Sequence, residues 1–216
     1  MSTHHEIRSE VCRYARLMFD SGMVIGTAGN VSARVPGEDL VALTPSSLPY
    51  EETTPDDIVI LDLDGNPVSE GRPPSFEKLL HIAVYRARPD IGAVMHTHAV
   101  YSSVLAVLQR PLPPVVEELV PYVGGQVDVA AFAMSGSDEL AANVVTALGE
   151  KAAALLANHG NLCCGKTLAK ALKVAQLVER CAEIYVTALK IGDPKPLAPE
   201  VLEREEMMYD ALKNWG

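Results

Sequence analysis

The sequence predicts an α/β domain with a central mixed sheet and helices on both of its faces. Three observations lead there. In the first third, short runs of β-forming residues are separated by hairpin signals, which favours antiparallel pairing. From about residue 76 onward, strand-length apolar runs alternate with segments of helical period. Near the end, Thr167–Lys190 aligns Leu168, Leu172, Ala175, Val178, Ala182, Tyr185 and Leu189 along one face of a long helix.

In chain order, Ile7, Val11, Tyr14, Ala15, Leu17 and Met18 recur at helical spacing, which predicts a helix over 6–20 that Gly22 ends. The turn Gly26-Thr-Ala-Gly-Asn30 leads into a strand at Val31–Val35, and Pro36-Gly37 turns the chain to a second strand at Leu40–Leu43. A third strand is expected at Ile58–Leu61, followed by the hairpin signal Asp64-Gly65. Next come a helix at Phe76–Ala87 stopped by Pro89, a strand at Ala93–His98, and a helix at Ala99–Leu108. After the proline-rich Pro111–Pro114, Val127–Val129 reads as a short strand. Ser137–Leu148 reads as a helix, with Ser137 as N-cap and Asp138 and Glu139 where the helix dipole favours acids. Strands at Ala153–Leu156 and Asn161–Cys164 precede the long helix, which stops at Ile191-Gly-Asp-Pro194. An acidic segment at 199–215 is expected to be helical. With no repeat or linker, the expectation is one domain over 1–216, with a core at 6–190 and a tail at 191–216.

Composition narrows the function. Lys and Arg number 18 against 28 Asp and Glu, a net charge of −10. Nucleic-acid phosphates and anionic membrane surfaces are bound by excess positive charge, so neither partner is expected. The four cysteines, Cys12, Cys163, Cys164 and Cys181, form no CxxC pair or disulfide pattern. The start, Met1-Ser-Thr-His-His-Glu-Ile-Arg, lacks an apolar signal core, and no stretch is long and apolar enough to span a membrane. A reduced cytoplasmic enzyme acting on a small molecule is the expectation.

The chemistry centres on histidine. His96 and His98 flank Thr97 at a strand end, and residues two apart on a strand project to one side. Two imidazoles on one face can converge on a single ion. His159 follows the apolar strand at Ala153–Leu156; if that strand lies beside Ala93–His98, it completes a three-histidine site with open coordination. Neutral imidazole suits Zn²⁺, and Mn²⁺, Fe²⁺ and Co²⁺ are compatible. His81, inside a helix, reads most simply as a structural hydrogen-bonding residue. Glu77, at a helix start, is either a dipole partner or a base poised over the metal. Gly26–Ser32 is a turn rich in glycine, hydroxyl and amide groups that could cradle an oxyanion. It is neither a P-loop nor a dinucleotide fingerprint, because it enters a strand.

Together these pieces resemble the class II aldolase/adducin head family, and within it the L-fuculose-1-phosphate aldolase branch. The carriers, in order, are Gly26-Thr-Ala-Gly-Asn-Val-Ser32, Thr44-Pro-Ser-Ser47, Pro74-Ser-Phe-Glu77, His96-Thr-His98-Ala99 and Asn158-His159-Gly160. The resemblance implies a three-layer α/β/α fold with a mixed, largely antiparallel sheet, and a fourfold-symmetric homotetramer with active sites at subunit contacts. It implies Zn²⁺ on His96, His98 and His159, with Glu77 as acid/base and as an additional ligand when substrate is absent. Thr27, Gly29, Asn30, Ser46, Ser47 and Ser75 match substrate- and phosphate-binding positions, and Tyr209 matches a tyrosine of the tail that closes the pocket. The reaction implied is reversible cleavage of a carbon–carbon bond beside a hydroxyketone. A decarboxylase, a dehydratase and a non-enzymatic adducin-like head are the alternatives. Three positions depart from the pattern. Phe76 stands where the aldolases carry a serine, and Ser47 stands where they carry a glycine. Glu118 stands where a tyrosine reaches a neighbouring subunit, with Tyr122 close by.

Overall fold

A computed structural model describes residues 4–68 and 70–214; Met1–Thr3 and the expected last helical residue, Trp215, lie outside them. Among the described residues, seven strands form one sheet in the order β3-β2-β1-β4-β7-β6-β5. These are β1 (Asn30–Arg34), β2 (Leu40–Leu43), β3 (Val59–Asp62), β4 (Ala93–Thr97), β5 (Val129–Ala130), β6 (Ala153–Leu156) and β7 (Gly160–Gly165). Every neighbouring pair is antiparallel except β5 with β6. The sheet is therefore mixed and largely antiparallel, as expected.

The helices are α1 (His5–Asp20), α2 (Lys78–Ala87), α3 (Val100–Val107), α4 (Val120–Val123), α5 (Asp138–Leu148), α6 (Leu168–Leu189) and α7 (Pro199–Asn214). The pair α2 and α5 packs on one side of the sheet, while α1, α3 and α6 cover the other. β4 lies at the centre with all five residues buried, because both of its faces meet a helix layer. The helix ends follow local chemistry. Ser137 accepts a hydrogen bond from the Leu140 N–H at the start of α5, and Thr167 accepts one from Lys170 at the start of α6.

Most boundaries fall within a residue of expectation, and three of the differences have a clear physical reason. α2 begins at Lys78 instead of Phe76, because the Lys78 N–H bonds the Ser75 carbonyl and the Glu77 N–H bonds the Ser75 hydroxyl, closing a turn ahead of the helix. The short strand expected at Val127–Val129 lies at Val129–Ala130, because Val127 pairs with Leu112 across the proline-rich connection. Ile58 ends a 3₁₀ turn at Pro55–Asp57, so β3 starts at Val59. α4, with a second 3₁₀ turn ahead of it at Glu117–Leu119, had no periodic signal to announce it. No helix among the described residues is long and apolar enough to cross a membrane.

Two backbones approach closely at Gly160. A Cβ there would sit 2.3 Å from the Thr97 carbonyl oxygen and 3.0 Å from the His98 ring. Backbone cannot give way cheaply at that distance. Gly160→Ala is therefore expected to lose about 2–3 kcal/mol of stability, measured by urea unfolding, whereas Gly37→Ala, with no atom near its would-be Cβ, should lose less.

Candidate active site

Register brings the site together. β4 pairs Asn30 with His96 on one side and His96 with Leu162 on the other. Thr97 faces Asn161 one step further on. β6 and β7 form a tight hairpin in which Leu156 pairs with Gly160. Its turn needs one left-handed residue, supplied by Asn158 at φ 56°, a conformation asparagine tolerates better than most. The His159 N–H bonds the Leu156 carbonyl, and the His159 side chain is delivered to the end of β4. The ligating atoms of His96, His98 and His159 all lie within 4.8 Å of one another, and the ring centroids are 4.7, 4.8 and 5.0 Å apart. His96 is buried; His98 and His159 are partly exposed and form the open side.

The donor chemistry fits a divalent cation. His96 Nδ1 lies 2.8 Å from the Asn161 carbonyl, which can only accept, so the proton is on Nδ1 and the Nε2 lone pair faces the cluster. Burial lowers the pKa of His96 to about 4, so the ring is neutral near pH 7. Burial, reinforced by His159, also lowers that of His98. His96 Nε2 lies 2.9 Å from His98 Nε2 and 3.3 Å from Glu77 Oε2. Glu77 Oε1 is 3.3 Å from His159 Nε2 and, among the described residues, is buried without a hydrogen-bond partner. Lone pairs and a carboxylate crowded together repel; a shared cation turns that repulsion into coordination.

Glu77 occupies the N-cap position of α2 but caps nothing: its side chain turns inward. Burial pushes its carboxyl pKa up, but His96 and the Asn30 amide pull harder, and the net direction is down. Asn30 Nδ2 donates to Glu77 Oε2 at 2.9 Å, and Asn30 Oδ1 accepts from His81 Nε2. Asn30, matched by family pattern to phosphate, is thus buried and occupied with positioning the carboxylate.

The remaining matched positions meet in three loops. Gly29, at φ 74°, lies against the His96 carbonyl, 2.7 Å from where its Cβ would stand. The Tyr50 hydroxyl holds this turn through the Ala28 and Gly29 carbonyls, and Thr27 on it is exposed. A bridge between Pro45 and Pro74 ties the Thr44–Ser47 loop to the Pro73–Ser75 loop, where Ser46 N–H bonds Pro73 O and Ser75 N–H bonds Thr44 O. Ser46 and Ser47 hydroxyls are 3.4 Å apart. Ser47 has φ 56°, a left-handed conformation that glycine, the residue the resemblance places there, can adopt without strain. Phe76 is 70% exposed, and its ring lies on Gly136, 2.6 Å from that residue's would-be Cβ.

Tyr209 and Glu118 lie elsewhere. Tyr209 donates to the Glu150 carbonyl, ahead of β6, and packs on Gly124. That is the opposite end of the sheet from the histidines of the same chain, because α7 docks on α4. The tail therefore does not close its own chain's site. Glu118 is exposed on the 3₁₀ turn before α4.

Two polar residues missed in the sequence belong to the site. His81 lies four residues after Glu77 on the same face of α2, a spacing that could have linked them. Asn161 accepts from the Thr97 hydroxyl and donates to Ser102, whose hydroxyl reaches Glu179; that carboxylate also takes the Tyr101 and Ser102 N–H groups at the start of α3. Nothing in local sequence announces it.

The comparisons agree with this geometry. Residues 9–186 match the class II aldolase and adducin N-terminal domain, and the chain belongs to that family. It is 39% identical over 196 residues, covering 91% of this chain and 92% of the relative, to the 5-deoxy-D-ribulose 1-phosphate aldolase of Bacillus thuringiensis. It is 40% identical over 202 residues, covering 94% and 89%, to the 5-methylthioribulose-1-phosphate/5-deoxyribulose-1-phosphate aldolase of Rhodospirillum rubrum. A solved L-fuculose 1-phosphate aldolase shares the fold at a TM-score of 0.90 and 36% identity, covering 96% of each chain.

His98→Ala is expected to weaken Zn²⁺ binding on the order of a hundredfold or more, read by competition with a chromophoric chelator. Unchanged affinity would remove His98 from the ligand set.

Proposed function

We propose that this protein is a metal-dependent class II aldolase, a carbon–carbon lyase that reversibly cleaves a ketose 1-phosphate into a phosphorylated ketone donor and an aldehyde. One observation carries the reading: a buried carboxylate with a free oxygen, Glu77 Oε1, faces three convergent imidazoles in a chain of this family. The relatives named above are aldolases, which favours carbon–carbon cleavage over the decarboxylase and dehydratase readings. The intact histidines and Glu77 argue against a non-enzymatic head.

His96, His98 and His159 would hold the cation, Zn²⁺ by family resemblance. When bound, it supplies Lewis-acid stabilisation of negative charge developing on the donor's oxygens. Glu77 delivers a proton to the donor carbon after the bond has broken and removes it in the condensation direction. In the condensation direction Glu77 takes this proton as a carboxylate, and in cleavage its protonated form returns it. The donor phosphate would lie among Gly29, Ser46, Ser47, Ser75 and the exposed Thr27. In a protein of net charge −10, N–H and hydroxyl groups do this work in place of a cationic patch. The left-handed Ser47 preserves the backbone shape of the family's glycine turn, so the substitution is compatible with a phosphate cradle. Phe76 leans on the loop before α5, which makes it a wall of the entrance.

Proton transfer at the aldehyde oxygen needs a further group. Neither Glu118 nor Tyr209 reaches the histidines of its own chain, so a role for either requires a second copy. A homotetramer with sites at subunit contacts supplies one. All four cysteines are free, which suits the cytoplasmic location we assign.

Glu77→Gln should keep its zinc yet lose cleavage and donor-carbon proton exchange by about a hundredfold or more; exchange at the wild-type rate would exclude Glu77 as the base. In a cleavage screen, 5-deoxyribulose 1-phosphate and fuculose 1-phosphate should release aldehyde without CO₂. Release of CO₂ from a hydroxy acid, with both ketose phosphates inert, would replace the aldolase by the decarboxylase.

A further inference from the structure

Behind Glu77, four polar side chains stand in line on the α2 side of the sheet. The Tyr85 hydroxyl is 2.8 Å from Ser32 Oγ, Ser32 Oγ is 2.7 Å from His81 Nδ1, His81 Nε2 is 2.5 Å from Asn30 Oδ1, and Asn30 Nδ2 is 2.9 Å from Glu77 Oε2. Asn30 and Ser32 sit two apart on β1 and so share a face; His81 and Tyr85 sit four apart on α2 and so share a stripe. Ser32 and His81 are fully buried, and Asn30 and Tyr85 nearly so.

The direction of every hydrogen bond in this line is fixed by chemistry. A carboxylate only accepts, so Asn30 must present its NH₂ to Glu77 and its carbonyl to His81. That carbonyl only accepts, so the His81 proton is on Nε2. The ring is buried without a carboxylate contact, and burial lowers its pKa to about 3, so it is neutral and Nδ1 accepts. Ser32 therefore spends its proton on His81, and Tyr85 must donate to Ser32. An asparagine amide is otherwise free to turn over; here the Glu77 carboxylate dictates its orientation and the His81 N–H braces it. The turned-over amide would set a carbonyl against the Glu77 carboxylate.

We infer that Tyr85, Ser32, His81 and Asn30 form a one-way donor chain that assigns separate tasks to the two oxygens of Glu77: Oε2 is anchored and Oε1 transfers the proton. These four are positioning residues. The inference rests on Glu77 being the base of the proposed aldolase. It adds that the identity of the reactive oxygen is braced from α2, through the four hydrogen bonds that run from Tyr85 to the carboxylate.

The test uses the zinc-loaded enzyme and follows zinc content, kcat and KM for a cleaved ketose 1-phosphate, and donor-carbon proton exchange. His81→Ala should lower kcat and exchange together by about tenfold to a hundredfold, with zinc stoichiometry unchanged and KM within about threefold. His81→Gln, which keeps an N–H donor for Asn30, should recover most of the loss. Asn30→Asp, which still accepts from His81 but offers Glu77 no N–H, should be at least as slow as His81→Ala, and the His81→Ala/Asn30→Asp pair should be no slower than Asn30→Asp alone. Tyr85→Phe removes only the far hydroxyl and should cost about threefold in kcat. It stands in for His81→Ala if that variant does not fold. A kcat within twofold of wild type in zinc-loaded His81→Ala, or in Tyr85→Phe if that is the only folded variant, overturns the inference. So does a loss that appears in KM or zinc content alone. Wild-type activity in Glu77→Gln would instead overturn the proposed function, which keeps the two failures distinct.

Discussion

The antiparallel register of β4 against β1 and β7 is the constraint from which the site follows. With His96 opposite both Asn30 and Leu162, the ring of His96 and the amide of Asn30 fall on the same face, toward α2 and Glu77. A slip of one residue would turn every one of these side chains to the opposite face. Hydrophobic burial on both faces of β4 makes such a slip costly, so core packing fixes the geometry of the histidine cluster as well as the fold. The close approach of Gly160 to the Thr97 carbonyl then brings the β6–β7 turn, and His159 with it, to the strand end.

The two faces of β4 divide the work. Toward α2, Asn30 and His81 orient Glu77. Toward α3 and α6, Thr97, Asn161, Ser102 and Glu179 form a chain that ties the strand end to the first turn of α3. The Glu179 carboxylate satisfies two N–H groups that a helix start leaves unpaired. Asn161 serves both faces: its side chain belongs to the second chain, while its carbonyl sets the tautomer of His96. The His96 ring is therefore aimed by the same residue that locks the strand to the helix layer.

The legible part of this in the sequence was the part that local periodicity encodes. The His96-x-His98 pair needs only strand alternation to share a side, and the antiparallel order of the first strands followed from their hairpin signals. His159 is placed by the sequence on the condition that Ala153–Leu156 lies beside Ala93–His98; in the sheet β7 lies between those two strands, and it is the β6–β7 turn that carries His159 to the end of β4. Asn30 shows the limit of matching by pattern: its position was identified, but its partners are set by β1–β4 register and α2 docking, and they make it a support for the carboxylate. His81 is the structural hydrogen-bonding residue that the sequence suggests, and its spacing of four from Glu77 also accounts for its place behind the carboxylate. The destination of the tail was not legible at all. α7 is amphipathic in either location, and only its docking on α4 takes Tyr209 to the far end of the sheet.

That separation bears on how the reaction is completed. One chain brings together three histidines, Glu77 and the loops that match phosphate-binding positions, while Glu118 and Tyr209 lie away from them. A metal-bound imidazole has its lone pair committed and is a poor proton shuttle. The two acid/base candidates named by resemblance, Glu118 and Tyr209, both lie near α4, and α3, which follows His98 directly, presents Val100, Val104, Val107 and Leu108 to solvent. Exposed apolar residues beside a site that lacks one functional group are what a subunit contact would cover and complete. The proposed aldolase would then need assembly for the second proton transfer, while donor-carbon exchange, which would use only Glu77 and the histidines, would belong to the single chain.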